Sequence, residues 1–164
     1  MDCWNFTINF LLKNKGIISK KSYSIFSEIF TNVSLLPKIW ITLLKYFDNV
    51  EIIHEQKDIF INLKKDEIPL LEEYRIWLDK FQKKWWIYSN LNITLDYLGN
   101  KLNNYFCIIP IKKWEWSHLV ILNSIHDKTV NLVDNKKWNF TVSLKEFSEL
   151  IELWNGKYAL FAKK

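Results

Sequence analysis

Apolar positions along this chain follow two rhythms. Over residues 3–14 they fall at Trp4, Ile8, Leu11 and Leu12, the spacing of one helical face. Asp2 suits the N-cap of that helix and Gly16 its stop. Residues 20–31 and 35–47 predict two further helices separated by Asn32 to Ser34, with Pro37 in the first turn of the second. The longest helical pattern covers 66–86. Leu70, Leu71, Tyr74, Trp77, Leu78 and Phe81 form its stripe and Trp85-Trp86 closes it. A shorter helix is expected over 92–103. Between the helical stretches, Val50-Glu51-Ile52-Ile53 reads as a short strand and Ile59-Phe60-Ile61 as another.

From Tyr105 onward the helical period gives way to short β-rich runs. Tyr105 to Ile111 is the first. A polar connection, Lys112 to Ser117, leads to the second, which His118 opens and Leu119-Val120-Ile121-Leu122 continue. A turn at His126-Asp127-Lys128 precedes the third, Val130-Asn131-Leu132-Val133, which ends in Asp134. Runs of this kind with turn signals between them predict adjacent antiparallel strands. Residues 135–139 read as a turn and Phe140-Thr141-Val142 as a strand. Ser143 with Glu146 is a capping box before a helix whose apolar face is Leu144, Phe147, Leu150, Ile151 and Trp154. Asn155-Gly156 ends that helix, and Tyr158 to Ala162 is a final strand. Helices followed by a sheet with one packed helix predict an α+β fold, a single domain over 1–164.

Composition narrows the function. The net charge of +5 is carried by Lys, spread in pairs along the chain, and Arg75 is the only arginine. A nucleic-acid partner calls for clustered basic residues and Arg at its contacts, so none is expected. Gly is too scarce for a phosphate-cradling loop. No pair of His or Cys has metal-ligand spacing, and no cofactor is expected. The first residues lack a signal peptide's basic start and long apolar run. No apolar run reaches the ~18 residues of a membrane span. The expectation is a soluble, cytoplasmic protein with reduced thiols, of undetermined oligomeric state. Nine Trp and eleven Phe indicate a core built from large rings, or some rings lining a groove.

The candidate chemistry lies at element ends. His118 enters the second strand of the run and Asp134 leaves the third, and in an antiparallel pair those ends are neighbours. A carboxylate that orients an imidazole is half of a nucleophilic triad. The chain offers Cys3 as the nucleophile, in the first turn of helix one, where free N–H groups favour a thiolate. Cys107, between Phe106 and Ile108 in mid-strand, is expected to be an inert core thiol. His54 and His126 are expected at the surface.

A helix-start Cys, a strand-start His and a strand-end Asp, in this order, resemble the papain-like cysteine peptidases. The resemblance is nearer to the bacteriocin-processing (double-glycine leader) peptidases and their stand-alone relatives. It rests on Asp2-Cys3 with Lys15-Gly16-Ile17, on the run from Tyr105 to Ile111, and on His118-Leu119-Val120-Ile121-Leu122. Leu132-Val133-Asp134-Asn135 and the helix from Ser143 to Phe147 and Trp154 complete it. It covers residues 1–17 and about 93–164. It implies a papain-like fold and a Cys3 nucleophile. It also implies His118 as general base, Asp134 as its orienting partner, and a peptide or protein substrate such as a leader peptide. Trp4 stands where the family has Gly, and Asn135 where it has Pro. The family's oxyanion Gln has no counterpart before Cys3 in a chain that starts at Met1. The chain then lacks part of its N-terminus, is catalytically weakened, or uses another donor, the candidates being the Cys3 backbone N–H, Asn5 and Gln56. The same residues also suit an acyltransferase, or a peptide-binding module that keeps the fold without the catalysis.

Overall fold

The computed structural model describes residues 3–17, 43–54, 72–73, 75–76, 79–81, 83, 88–90, 92–113, 116–134, 138–152 and 158–164. In chain order the elements are α1 (Cys3–Asn14), β1 (Val50–His54), β2 (Tyr88–Asn90), α2 (Leu95–Leu102) and β3 (Tyr105–Lys113). They continue with β4 (Trp116–Ile125), β5 (Thr129–Asp134), β6 (Trp138–Ser143), α3 (Leu144–Glu152) and β7 (Tyr158–Lys163). The strands form one sheet in the order β2-β1-β7-β3-β4-β5-β6. Every pairing in it is antiparallel except β1 with β2. The fold is α+β, as the pattern predicts.

Strand alternation splits the core into two layers. Ile52, Ile108, Leu119, Leu160 and Ala162 point to one face, which α1 covers with Ile8, Leu11 and Leu12. Ile53, Cys107, Ile109, Ile111, Val120, Leu132 and Phe161 point to the other. There Leu98 of α2 and Phe147, Leu150 and Ile151 of α3 meet them. Central strands buried on both sides must be apolar at consecutive positions, which is why β3 and β7 read as continuous runs rather than alternating ones.

The element ends follow local chemistry. Gly16 takes φ +74, and two backbone bonds, Gly16 N–H to Lys13 C=O (3.0 Å) and Ile17 N–H to Leu12 C=O (2.9 Å), close α1 in a Schellman motif. The Thr94 hydroxyl accepts from the Tyr97 N–H at the start of α2 (3.2 Å), and the Ser143 hydroxyl accepts from the Glu146 N–H at the start of α3 (3.1 Å). His126 and Thr129 exchange backbone bonds of 2.8 and 3.3 Å around Asp127-Lys128, a two-residue hairpin between β4 and β5.

Several expectations need revision. The polar connection 112–117 is mostly strand. β3 runs on to Lys113 and β4 starts at Trp116, so His118 is the third residue of its strand rather than the first. Cross-strand pairing carries these polar positions, which side-chain propensity alone disfavours. β6 likewise begins at Trp138, inside the expected turn. The sheet is not purely C-terminal, since β1 sits between β2 and β7. β2 itself had no sequence signal beyond a Tyr. His54 is not at the surface; it closes β1 and is 2% exposed. Of the long helix expected over 66–86, residues 72–73, 75–76 and 79–81 are helical. The helix expected over 20–31, most of the one over 35–47, the strand at 59–61, and Asp2, Gln56, Trp85 and Trp86 lie outside the described residues, as do Trp154 to Gly156.

Candidate active site

The antiparallel register of β4 and β5 sets Ile121 opposite Val133, so Asp134 falls level with Val120 and one step diagonally from His118. That diagonal puts the two side chains on one face and at one end of the sheet. His118 Nε2 lies 3.8 Å from Asp134 Oδ2. Asp134 is 6% exposed, and the His118 side chain is 19% exposed. The imidazole thus stands between a buried carboxylate and solvent. At this distance the contact is an ion pair only when the imidazole is protonated.

Cys3 is the first residue of α1 and is half-buried. Its carbonyl accepts from the Thr7 hydroxyl at 2.7 Å. The helix runs across the sheet from one end to the other. At its C-terminal end Lys15 Nζ donates to the Lys163 carbonyl (3.4 Å) and lies 4.7 Å from the Phe47 ring. At its start Cys3 packs against the core layer of the α1 face, and its charge acts on Tyr158. Tyr158 and Lys163 are the two ends of β7, so α1 begins where β7 begins. That is also where β4 begins and β5 ends, and α1 lies against both of those strands.

Cys3, His118 and Asp134 therefore occupy the same end of the sheet. They do not leave it on the same side. His118 pairs with Ile111, which belongs to the layer under α2 and α3. Leu119, the next residue, faces α1. The structure joins His118 with Asp134 and sets Cys3 at the end of the sheet where they meet, with the alternation of β4 turning the imidazole to the face away from α1.

His54, expected at the surface, and Tyr158, expected only as the start of a strand, lie on the α1 face of the sheet. His54 pairs with Tyr158 across β1 and β7. Ile108 pairs with Leu160, so continuing that register brings Pro110 level with Tyr158, and Pro110 pairs with Leu119. His54, Tyr158, Pro110 and Leu119 thus form one row across four strands on the α1 face, at the end where Cys3 stands. Tyr158 is 3% exposed. Burial pushes its phenol up, and a charge on the neighbouring Cys3 pushes it further the same way. The signal for His54 was its parity with Ile52. Extending the β1 alternation by one residue puts the ring on the inner face.

Cys107 is fully buried, and burial pushes its thiol well up. His126 is exposed, with its Nε2 3.1 Å from the Ser124 hydroxyl. Among the described residues no group of three His, Cys, Asp or Glu could hold a metal ion, and no helix is long and apolar enough to cross a membrane. Of the alternative donors, Gln56 and the Asn5 side chain lie outside the described residues. No protein-family model, curated protein or solved structure matches this chain.

Proposed function

We propose that this chain is a papain-like thiol hydrolase that cleaves a peptide, with a leader peptide as the expected class of substrate, and that Cys3, His118 and Asp134 are its nucleophile, base and orienting carboxylate. The observation that carries the reading is the His118–Asp134 pair, 3.8 Å apart, at the end of the sheet where the helix bearing Cys3 begins. An Nε2–H directed at Asp134 leaves Nδ1 to take the Cys3 proton and later return it to the leaving amine. Asp134 fixes the tautomer and stabilises the imidazolium without itself taking the proton. A thioester at Cys3 is then resolved by water, or by an amine if the enzyme is a transferase.

A non-catalytic peptide-binding module is favoured by one observation, the alternation that turns His118 away from the α1 face. The pH dependence of Cys3 alkylation separates the two. Iodoacetamide labelling with peptide mapping should show Cys3 reacting well below the ~8.5 of an ordinary thiol, because an imidazolium holds the thiolate. His118→Ala should abolish the acidic reactivity, and Asp134→Asn should weaken it less. A Cys3 that titrates as a free thiol and ignores His118→Ala would move the assignment to the binding module.

A further inference from the structure

The edge of a sheet presents backbone N–H and C=O groups that another strand can take up. The two edges of this sheet differ. β2 has three residues, and shortness is itself a protection. β6, at the other edge, has six, Trp138-Asn139-Phe140-Thr141-Val142-Ser143. Among the described residues it pairs with β5 alone. None of the six is charged or a proline, two common protections of an exposed edge. Charges resume on either side, at Lys136-Lys137 and at Lys145-Glu146. The two faces of the strand also differ. Asn139, Thr141 and Ser143 are exposed, and Thr141 ends a polar ladder in which Asn123 donates to Asn131 (3.1 Å) and Asn131 to Thr141 (3.4 Å). On the face under α3, Val142 is buried, while Phe140 and Leu144 are partly buried against the core. They leave an apolar lip along the edge.

We propose that the outer edge of β6 takes up an extended peptide as a further strand of the sheet. The proposal rests on the peptide-partner part of the reading above and holds equally for the hydrolase and the binding module. Main-chain bonds to β6 supply affinity, and alternate side chains supply specificity. Peptide residues on the α3 side lie against Phe140 and Leu144 and are apolar. Their neighbours on the other side lie beside Asn139, Thr141 and Ser143 and are small and polar. The occupant is a segment of alternating apolar and uncharged polar residues. β6 starts at the candidate site, because Trp138 pairs with Asp134. Antiparallel pairing, slightly the more stable kind, runs the peptide from Ser143 toward Trp138. Its C-terminal continuation leaves the edge at the end where His118 and Asp134 lie. Three strand spacings, about 14 Å, separate the added strand from that of His118, a span of about four extended residues. β6 thus holds a part of the peptide that precedes the bond to be cut.

The test uses the full chain with Cys3→Ala, so that binding is read without cleavage, and the fluorescein-labelled peptide Ser-Val-Thr-Phe-Thr-Val-Asn. Fluorescence anisotropy should show saturable binding. Hydrogen exchange read by mass spectrometry should show new protection over residues 138–143 and over no other strand. Two N-methylated peptides then test the mode of binding. One is methylated on its second, fourth and sixth residues, the other on its third, fifth and seventh. An added strand turns alternate amides toward β6, so one of the two should bind about a hundredfold more weakly, three backbone hydrogen bonds lost at about fivefold each. The other should bind within about threefold of the parent. Equal losses in the two overturn the proposal, as does protection elsewhere than 138–143. Absence of binding overturns it as well and leaves the hydrolase reading standing, since the pH profile of Cys3 alkylation decides that reading without β6. Protection of 138–143 that grows with protein concentration in the absence of peptide overturns it in favour of a second copy of the chain on this edge.

Discussion

The two cysteines show how place decides chemistry at the scale of a residue. Cys107 sits in mid-strand among apolar neighbours, and its thiol is pushed up by that burial. Cys3 opens a helix and is half-buried. The sequence alone carried this distinction, because an unbroken apolar run around Cys107 implies burial on both faces and a helix start implies neither. It did not carry the burial of His54 opposite Tyr158, which comes from which strands lie side by side. The Cys107 environment has a consequence for stability. Its folded thiol ionises above the ordinary thiol range, so the fold favours the neutral form. That contribution is complete below pH 9 and is lost as the pH rises beyond it, when the unfolded chain gains by ionising. The thermal midpoint should therefore fall between pH 8.5 and 11, and Cys107→Val should fall less steeply over the same range. Parallel curves for the two proteins would show that the buried thiol does not contribute to the decline.

At the scale of elements, the sequence was most legible where one signal decided alone. Gly16 ends α1, Ser143 caps α3, and the runs at Tyr105 and Tyr158 are strands. It was least legible where pairing overrides propensity. Lys112 and Lys113 extend β3 and Trp116 and Ser117 begin β4 because each has a partner across the ladder. No single-strand pattern contains that information. β2 is the extreme case, three residues that are a strand because β1 offers them a parallel edge. The stop of α1 tests the local half of this distinction. Gly16 has φ +74, and a Cβ there would meet nothing within 4 Å. A side chain would cost only backbone strain. Gly16→Ala should lose about 1 kcal/mol in urea unfolding, as expected of an L-residue forced into the left-handed region. Gly16→Asn should lose less, because Asn tolerates that conformation. Equal losses would point to a side-chain clash instead.

At the scale of the whole molecule, the two ends of the sheet carry different work. The candidate site occupies the end where β4 and β7 begin. The other end is held by Glu51, which is 3% exposed and paired with Lys101 of α2. Lys101 Nζ lies 4.5 Å from the Tyr105 ring, 5.5 Å from Phe161 and 5.8 Å from Tyr97. Burial works to lower the Lys101 ammonium, but the hydrogen bond and charge of Glu51 outweigh it and hold the group up. This anchor explains how an acidic residue sits in a strand buried along its whole length. Lys101→Met keeps the apolar stem beneath the rings and leaves the carboxylate buried and uncompensated. It should cost about 2 kcal/mol, under the ~3 to 5 of fully enclosed pairs, because the Lys101 side chain is still 21% exposed. Adding Glu51→Gln removes the orphaned charge and should recover part of that loss, the coupling expected of groups in contact. Four residues of strand, about 13 Å, separate the Cys107 row from the Ile111 row beside His118. The Cys3 alkylation rate in the folded protein should therefore be the same in all of these variants. Additive losses for the pair, with no recovery in the double mutant, would mean that Lys101 stabilises α2 through its stem and rings rather than through Glu51.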